Sequence, residues 1–430
     1  MTFLFYIVFF SFVAVLPAHC YIDPGTGSML FSVLIGFVSI FFFAAKTALI
    51  KIKTLPIWYK KNENTTATGK DIVIYSEGKQ YWNVFRPVLE EFDKRQIPVT
   101  FYTSDENDLC FDFKSDFVTT SFIGKGNKAY ATLNLLDANI VLMTTPGLDV
   151  YQLKRSKMVK HYSHILHSAD DVTTYRLFGL DYFDSVLLTG DYQKEAIRKL
   201  EDLRKLPAKN LITIGCTYLD IAMNKIKELP VIEKKDSLPT VLVSPSWGEN
   251  GLLKRYGMSL LKPLAESGFH IIIRPHPQTS ISEKDMLEKI QDDLKSYTEI
   301  EWDFERENIM SMQKADIMIS DFSGIIFDYM FLFSRPVIYT SYNFDKRPYD
   351  CSDLEEEPFK FRCIRELGIK LTEKDFLNIK DIILQNINNE ELKEKIVQAK
   401  NTAWMNQGNA GVKCVDALLD IKEKLTNKNN

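Results

Sequence analysis

Residues 317–329 read Ile-Met-Ile-Ser-Asp-Phe-Ser-Gly-Ile-Ile-Phe-Asp-Tyr. An apolar run from Ile317 to Ile319 stops at the small polar cluster Ser320, Asp321, Ser323 and Gly324, and Ile325–Leu332 resumes with helical character. That order predicts a strand, a tight turn and a helix start. A helix start carries unpaired backbone N–H groups and the positive end of the macrodipole, so it suits a phosphate or diphosphate. Asp321 is expected to cap the helix through its side-chain oxygen, leaving Ser323 at the first turn to meet a ligand. A plain capped turn of a parallel sheet reads the same way, so the surroundings must decide.

Outward from this turn the chain alternates short apolar runs with amphipathic segments. After the charged, proline-ended stretch Glu233–Pro239, strands are predicted at Thr240–Ser244, His270–Arg274, Thr298–Trp302, Ile317–Ser320 and Pro336–Tyr339. An earlier series begins at Asp71–Tyr75 and continues through Val99–Tyr102, Ala138–Met143, Ser163–Leu166, Ser185–Leu188 and Leu211–Ile214. Short continuous apolar strands separated by helices imply parallel sheets covered on both faces. The expectation is an α/β protein of two Rossmann-like domains facing each other across a cleft, 71–232 and 240–400, with a helical tail over 401–430.

The 430 residues carry a net charge of −4, which gives no support to nucleic-acid binding. Six scattered cysteines lack metal-ligand or disulfide-scaffold spacing. The N-terminus differs from the rest. Residues 1–20 read as a signal peptide or first anchor and 28–50 as a transmembrane helix, with 51–70 as a linker. Lys51, Lys53, Lys60 and Lys61 follow the second apolar run, so the positive-inside rule puts the remainder in the cytoplasm. The expected location is the bacterial inner membrane, with the catalytic part facing the cytoplasm.

Three further motifs fall at predicted strand ends, where open α/β sheets bind ligands. In Ile271-Ile-Ile-Arg-Pro-His-Pro277 two prolines restrain His276 beside Arg274, a pairing suited to acid–base chemistry next to a phosphate. In His161-Tyr-Ser-His-Ile-Leu-His-Ser168 the strand ends at His167, with Arg176 a little further on as another group to face a phosphate. His161 and His164 have helical ligand spacing in a stretch that reads as strand, so no metal site is assigned. In Val241-Leu-Val-Ser-Pro-Ser-Trp-Gly-Glu-Asn-Gly251 the hydroxyls of Ser244 and Ser246 and the Gly248 backbone form a phosphate cradle, and Trp247 stacks on a base or closes over it.

In this order, Ser-Pro-Ser-Trp-Gly (244–248), Arg-Pro-His-Pro (274–277), the 319–329 segment and Arg335-Pro-Val-Ile-Tyr339 resemble the CDP-glycerol glycerophosphotransferase family. Leu166-His167, Gly190 and Ile214-Gly215 carry the looser likeness of the first domain. The resemblance implies a GT-B architecture and binding of CDP-glycerol mainly by the second domain. It implies His167 and His276 as catalytic histidines, and Ser320, Asp321 and Ser323 lining the pyrophosphate and glycerol end. No cofactor or metal is implied. The implied partners are CDP-glycerol or a related CDP-polyol and a glycan or lipid-linked acceptor at the membrane. Where polymerases of the family carry His-Gly and then a lysine, this chain has His167-Ser168-Ala169-Asp170-Asp171, which leaves acceptor and polyol open. A GT-B glycosyltransferase using a nucleotide sugar is the alternative.

Overall fold

The computed structural model describes residues 69–230, 238–305, 307–340 and 344–427. The expected signal or anchor, transmembrane helix and nearly all of the 51–70 linker lie outside the described residues. Among the described residues no helix is long and apolar enough to cross a membrane.

The first sheet has seven strands: β1 (Lys70–Ser76), β2 (Val99–Thr103), β3 (Val118–Phe122), β4 (Ala138–Met143), β5 (Val159–Ile165), β6 (Ser185–Leu188) and β7 (Asn210–Thr213). Their spatial order is β3-β2-β1-β4-β5-β6-β7, and every pairing is parallel. Alternate side chains of β1 serve opposite faces, as the strand period requires. Ile72 and Ile74 pack with Phe85, Leu89 and Phe92 of helix Trp82–Lys94 and with Val415 and Leu418 of helix Ala410–Asn427. Val73 and Tyr75 pack with Val141, Leu188 and Ile197 on the other side. Each such side chain, once fully buried, contributes about 1.5–3 kcal/mol.

The second sheet has β8 (Thr240–Val243), β9 (His270–Ile273), β10 (Ile300–Trp302), β11 (Ile317–Ser320), β12 (Val337–Thr340) and β13 (Gly368–Leu371), in the order β10-β9-β8-β11-β12-β13 and again wholly parallel. The chain builds outward from β8 through β9 and β10, then returns to β8's other side with β11. A crevice therefore opens between the carboxyl ends of β8 and β11, the topological switch point.

The predicted core strands are present, and two edge strands escaped the reading. Val118-Thr-Thr-Ser-Phe122 and Gly368-Ile-Lys-Leu371 are only partly buried, so neither shows the continuous apolar run of a strand covered on both faces. Arg176 forms an isolated antiparallel bridge with Tyr349.

The tail crosses from one domain to the other. Helix Glu390–Ala403 packs through Ile396 and Ala403 against Phe327 and Phe331 of the second domain, and helix Ala410–Asn427 then joins the first. At the crossing, a Cβ at Gly190 would lie 2.2 Å from the Thr402 carbonyl oxygen, and one at Gly215 (φ +100°) 2.3 Å from that of Met405. Only glycine admits this approach. Asp220 fastens the crossing, accepting from Trp404 Nε1 (2.9 Å), Gly408 N (2.8 Å) and Ala410 N (2.9 Å). Asp220→Ala orphans these donors and should destabilise the protein by about 3–5 kcal/mol in urea unfolding.

His164, wholly buried in β5, has its pKa pushed down to about 3, first by burial and then by nearby His167. Its folded pKa lies below the unfolded value of 6.5, so the stabilisation is present above that value and is lost as pH falls toward 3. Unfolding free energy should drop by roughly 2–3 kcal/mol between pH 6.5 and 4.5, and less in His164→Phe.

Candidate functional site

The turn after β11 is organised by Asp321, which is 1% exposed. Its Oδ1 accepts from Phe322 N (2.7 Å), Ser323 N (3.1 Å) and Ser246 N (3.1 Å), and its Oδ2 from Ser246 N (3.1 Å) and Leu252 N (2.9 Å). Ser320 Oγ donates to Ser244 O at 2.6 Å, and Ser320 has no exposed surface. These contacts tie the loop after β8 to the turn after β11. Asp321 and Ser320 hold the two loops together through backbone partners. Helix Ile325–Phe333 starts at Gly324 without a side-chain cap. Among the described residues the Ser323 hydroxyl and the amides of Gly324 and Ile325 have no protein partner, at the positive end of that helix.

Gly248 adopts φ +90° and donates its N–H to Glu283 Oε2 at 3.2 Å, so this amide is also committed within the protein. Ser244 N pairs with Ile319 O at 3.0 Å. Ser246 Oγ is buried and unpartnered among the described residues. Trp247 is half exposed, its ring centroid 6.3 Å from that of His276 at an interplanar angle of 32°.

His276 stands at the β9 end of the same crevice. Its Nδ1 accepts from Gln278 N at 3.1 Å, which places the proton of the neutral ring on Nε2. Burial lowers its pKa, with the Asp321 charge acting the other way. At neutral pH it therefore offers an Nε2–H donor. Arg274 departs from expectation. Its guanidinium pairs with Asp303 Oδ2 (2.6 Å) and donates to Glu305 O (2.5 Å), so it braces the loops after β9 and β10.

In the first domain His167 follows β5. Tyr175 Oη lies 3.4 Å from His167 Nδ1 and 3.1 Å from His164 Nε2. Burial holds Tyr175 far up in pKa, so it keeps its proton and links the two rings. With that proton directed at His164, His167 donates from Nδ1 and presents a lone pair at Nε2. Burial lowers the His167 pKa against the opposing pull of Asp170, and the Tyr81 ring covers one edge at 5.7 Å. His161 turns to Ser185 Oγ (2.9 Å) and shares no site with His164. Sequence reading missed Tyr175, although its eight-residue offset from His167 across a loop gave no signal.

It also missed Lys360. The first residues after the histidine loop are fastened to the second domain, Lys360 Nζ to Asp170 Oδ2 at 2.9 Å and Lys360 N to Asp171 Oδ2 at 3.1 Å. A Cβ on Gly324 would lie 3.5 Å from the same Asp170 Oδ2. The loop carrying His167 thus abuts the helix start that carries Ser323. Tyr218 Oη to Asp328 Oδ2 (3.3 Å) closes the same seam, and burial raises the Asp328 pKa to about 7. Among the described residues no group of three His, Cys, Asp or Glu side chains is placed to hold a metal ion.

Residues 207–361 match the family model described as CDP-glycerol:poly(glycerophosphate) glycerophosphotransferase. No curated protein matches the sequence significantly. The structure of the wall teichoic acid polymerase TagF is similar, at 16% identity over 89% of this chain and 99% of that one, with a TM-score of 0.53. UDP-GlcNAc 2-epimerase from Neisseria meningitidis, bound to UDP-GlcNAc, is 18% identical over 82% of this chain and 100% of that one, with a TM-score of 0.54. At these identities the structures establish a shared fold of two facing Rossmann-like domains, the GT-B architecture. The matched segment holds β8 to β12, His276 and the Ser320–Gly324 turn, so the likeness to the CDP-glycerol glycerophosphotransferase family lies in the second domain.

Proposed function

We propose that the protein transfers glycerol phosphate from CDP-glycerol to an acceptor hydroxyl and releases CMP. The observation that carries this reading is the crevice between β8 and β11, where neutral His276, half-exposed Trp247 and the start of helix Ile325–Phe333 meet within the family-matched segment. The diphosphate sits against Ser323 and the first amides of that helix, and Trp247 covers the cytidine side.

The acceptor hydroxyl attacks the β-phosphorus. Its proton passes to His167 Nε2, and the resulting imidazolium is supported through Nδ1–H by Tyr175. The bond between the β-phosphorus and the oxygen bridging to CMP breaks. His276 Nε2–H donates to the oxygens that gain charge as CMP departs. Most of the rate comes from positioning and charge stabilisation, as in other phosphoryl transfers. The acceptor is a hydroxyl of a cell-envelope glycan, a teichoic-acid-like polymer or a lipid-linked intermediate. We place the protein at a bacterial cytoplasmic membrane with the catalytic domains on the cytoplasmic side, a placement supported by the apolar run Met29–Ile50 and the lysines after it.

His167→Ala and His276→Ala should each lower turnover about 10²–10⁴-fold while calorimetry shows CDP-glycerol still binding. Full activity in either variant contradicts the assignment. Screening CDP-glycerol, CDP-ribitol, UDP-sugars and GDP-sugars for nucleotide release should give CMP from the CDP-polyols, whereas release from a nucleotide sugar alone would favour a glycosyltransferase.

A further inference from the structure

The first sheet also has a switch point. The chain leaves β1 for β2 and β3, then returns with β4 on β1's other side, so a crevice is expected at the carboxyl ends of these strands too. Beside it, over the carboxyl ends of β1, β2 and β3, opens a cavity of about 480 Å³. That is room for one or two sugar rings, within the range of small-molecule sites. The reaction proposed above needs a seat for a second substrate.

The cavity's chemistry is specific. Tyr75 Oη and Ser104 Oγ lie 2.8 Å apart on its wall, and burial pushes the Tyr75 pKa up to about 12. Glu77 is half-buried and forms no hydrogen bond or ion pair among the described residues, so its two oxygens are open to hydroxyl donors. Asp105 is held anionic, its pKa lowered first by the Asn107 amide. The one cation on the wall, Lys125, is already paired with Glu106 at 3.0 Å. Tyr130 adds an aromatic ring. The open Glu77 oxygens on the same wall as an aromatic ring are suited to neighbouring hydroxyls and the C–H face of a sugar. The same carboxylates, with the wall's lysine already paired to Glu106, repel phosphodiesters.

A chain of neighbouring groups joins the cavity wall to His167. Glu77 precedes Tyr81 by one short turn and raises the pKa of the Tyr81 hydroxyl, second to burial, and the Tyr81 ring packs edge-on against His167. A sugar seated on Glu77 would extend a hydroxyl past Tyr81 toward the imidazole.

We propose that this cavity is the acceptor site, and that it takes an uncharged, polyhydroxylated sugar in preference to a polyanionic phosphodiester chain. This rests on the glycerophosphotransferase reading and deepens it. Two probes test it, the neutral disaccharide N,N′-diacetylchitobiose and a synthetic tri(glycerol phosphate), each scored by saturation-transfer NMR and by stimulation of CMP release from CDP-glycerol. The disaccharide should bind and raise CMP release several-fold, and tri(glycerol phosphate) should do neither. Glu77→Gln and Tyr130→Ala should raise the disaccharide KM at least tenfold and leave the KM for CDP-glycerol within twofold. Preference for tri(glycerol phosphate), no binding of the disaccharide, or unchanged acceptor KM in both variants overturns the proposal. Should CDP-glycerol give no CMP at all, the reaction assignment fails, and disaccharide binding to the unaltered protein with its loss in Tyr130→Ala still decides the site.

Discussion

A single buried carboxylate sets the geometry of the candidate donor site. Asp321 receives four backbone N–H groups, from Ser246, Leu252, Phe322 and Ser323. Burying a carboxylate costs several kcal/mol unless it is fully hydrogen-bonded, and here backbone donors from two loops meet that need. The loop after β8 and the turn after β11 are therefore one rigid unit. Its rim presents Ser323, Trp247 and the start of helix Ile325–Phe333, and its negative interior lies beside His276, whose pKa it partly restores. A phosphate meets helix amides at that rim and does not meet the Asp321 charge directly, since the amides intervene.

The second constraint is the seam between the domains. Lys360 holds Asp170 and Asp171, and Arg204 on the first domain bonds Asp350 on the second at 2.7 Å. The backbone amides of Phe178 (2.7 Å) and Gly179 (3.3 Å) also donate to Asp350. These contacts fix the segment from His167 to Gly179, which contains Tyr175. The His164–Tyr175–His167 chain is thus held from below by the buried strand β5 and from outside by the other domain. Asp170, within the run His167–Asp171, sits where the two domains' functional loops touch.

Much of this was legible in the sequence, for a physical reason. Strands buried on both faces must be apolar throughout, so β1, β4, β6, β8, β9, β11 and β12 announce themselves, and with them the strand ends where His167, His276 and Ser323 lie. Edge strands β3 and β13 need no such run and were missed. What sequence could not show is which polar groups the protein has already consumed. Ser320, Asp321 and Arg274 have the residue types of a phosphate site, yet Ser244 O, four amides and Asp303 respectively engage them. The converse holds for Glu77, an unremarkable glutamate in sequence whose lack of a partner shows only when the fold is in view.

The central claim is that the diphosphate of a CDP-polyol lies across the carboxyl ends of β8 and β11. The most direct test is a crystal structure of the His167→Ala variant soaked with CDP-glycerol. The account predicts phosphate density within hydrogen-bonding distance of Ser323 and the first amides of helix Ile325–Phe333, with His276 Nε2 facing the β-phosphate. Nucleotide density confined to the first sheet, or a diphosphate seated away from the Ser323–Ile325 turn, would contradict it.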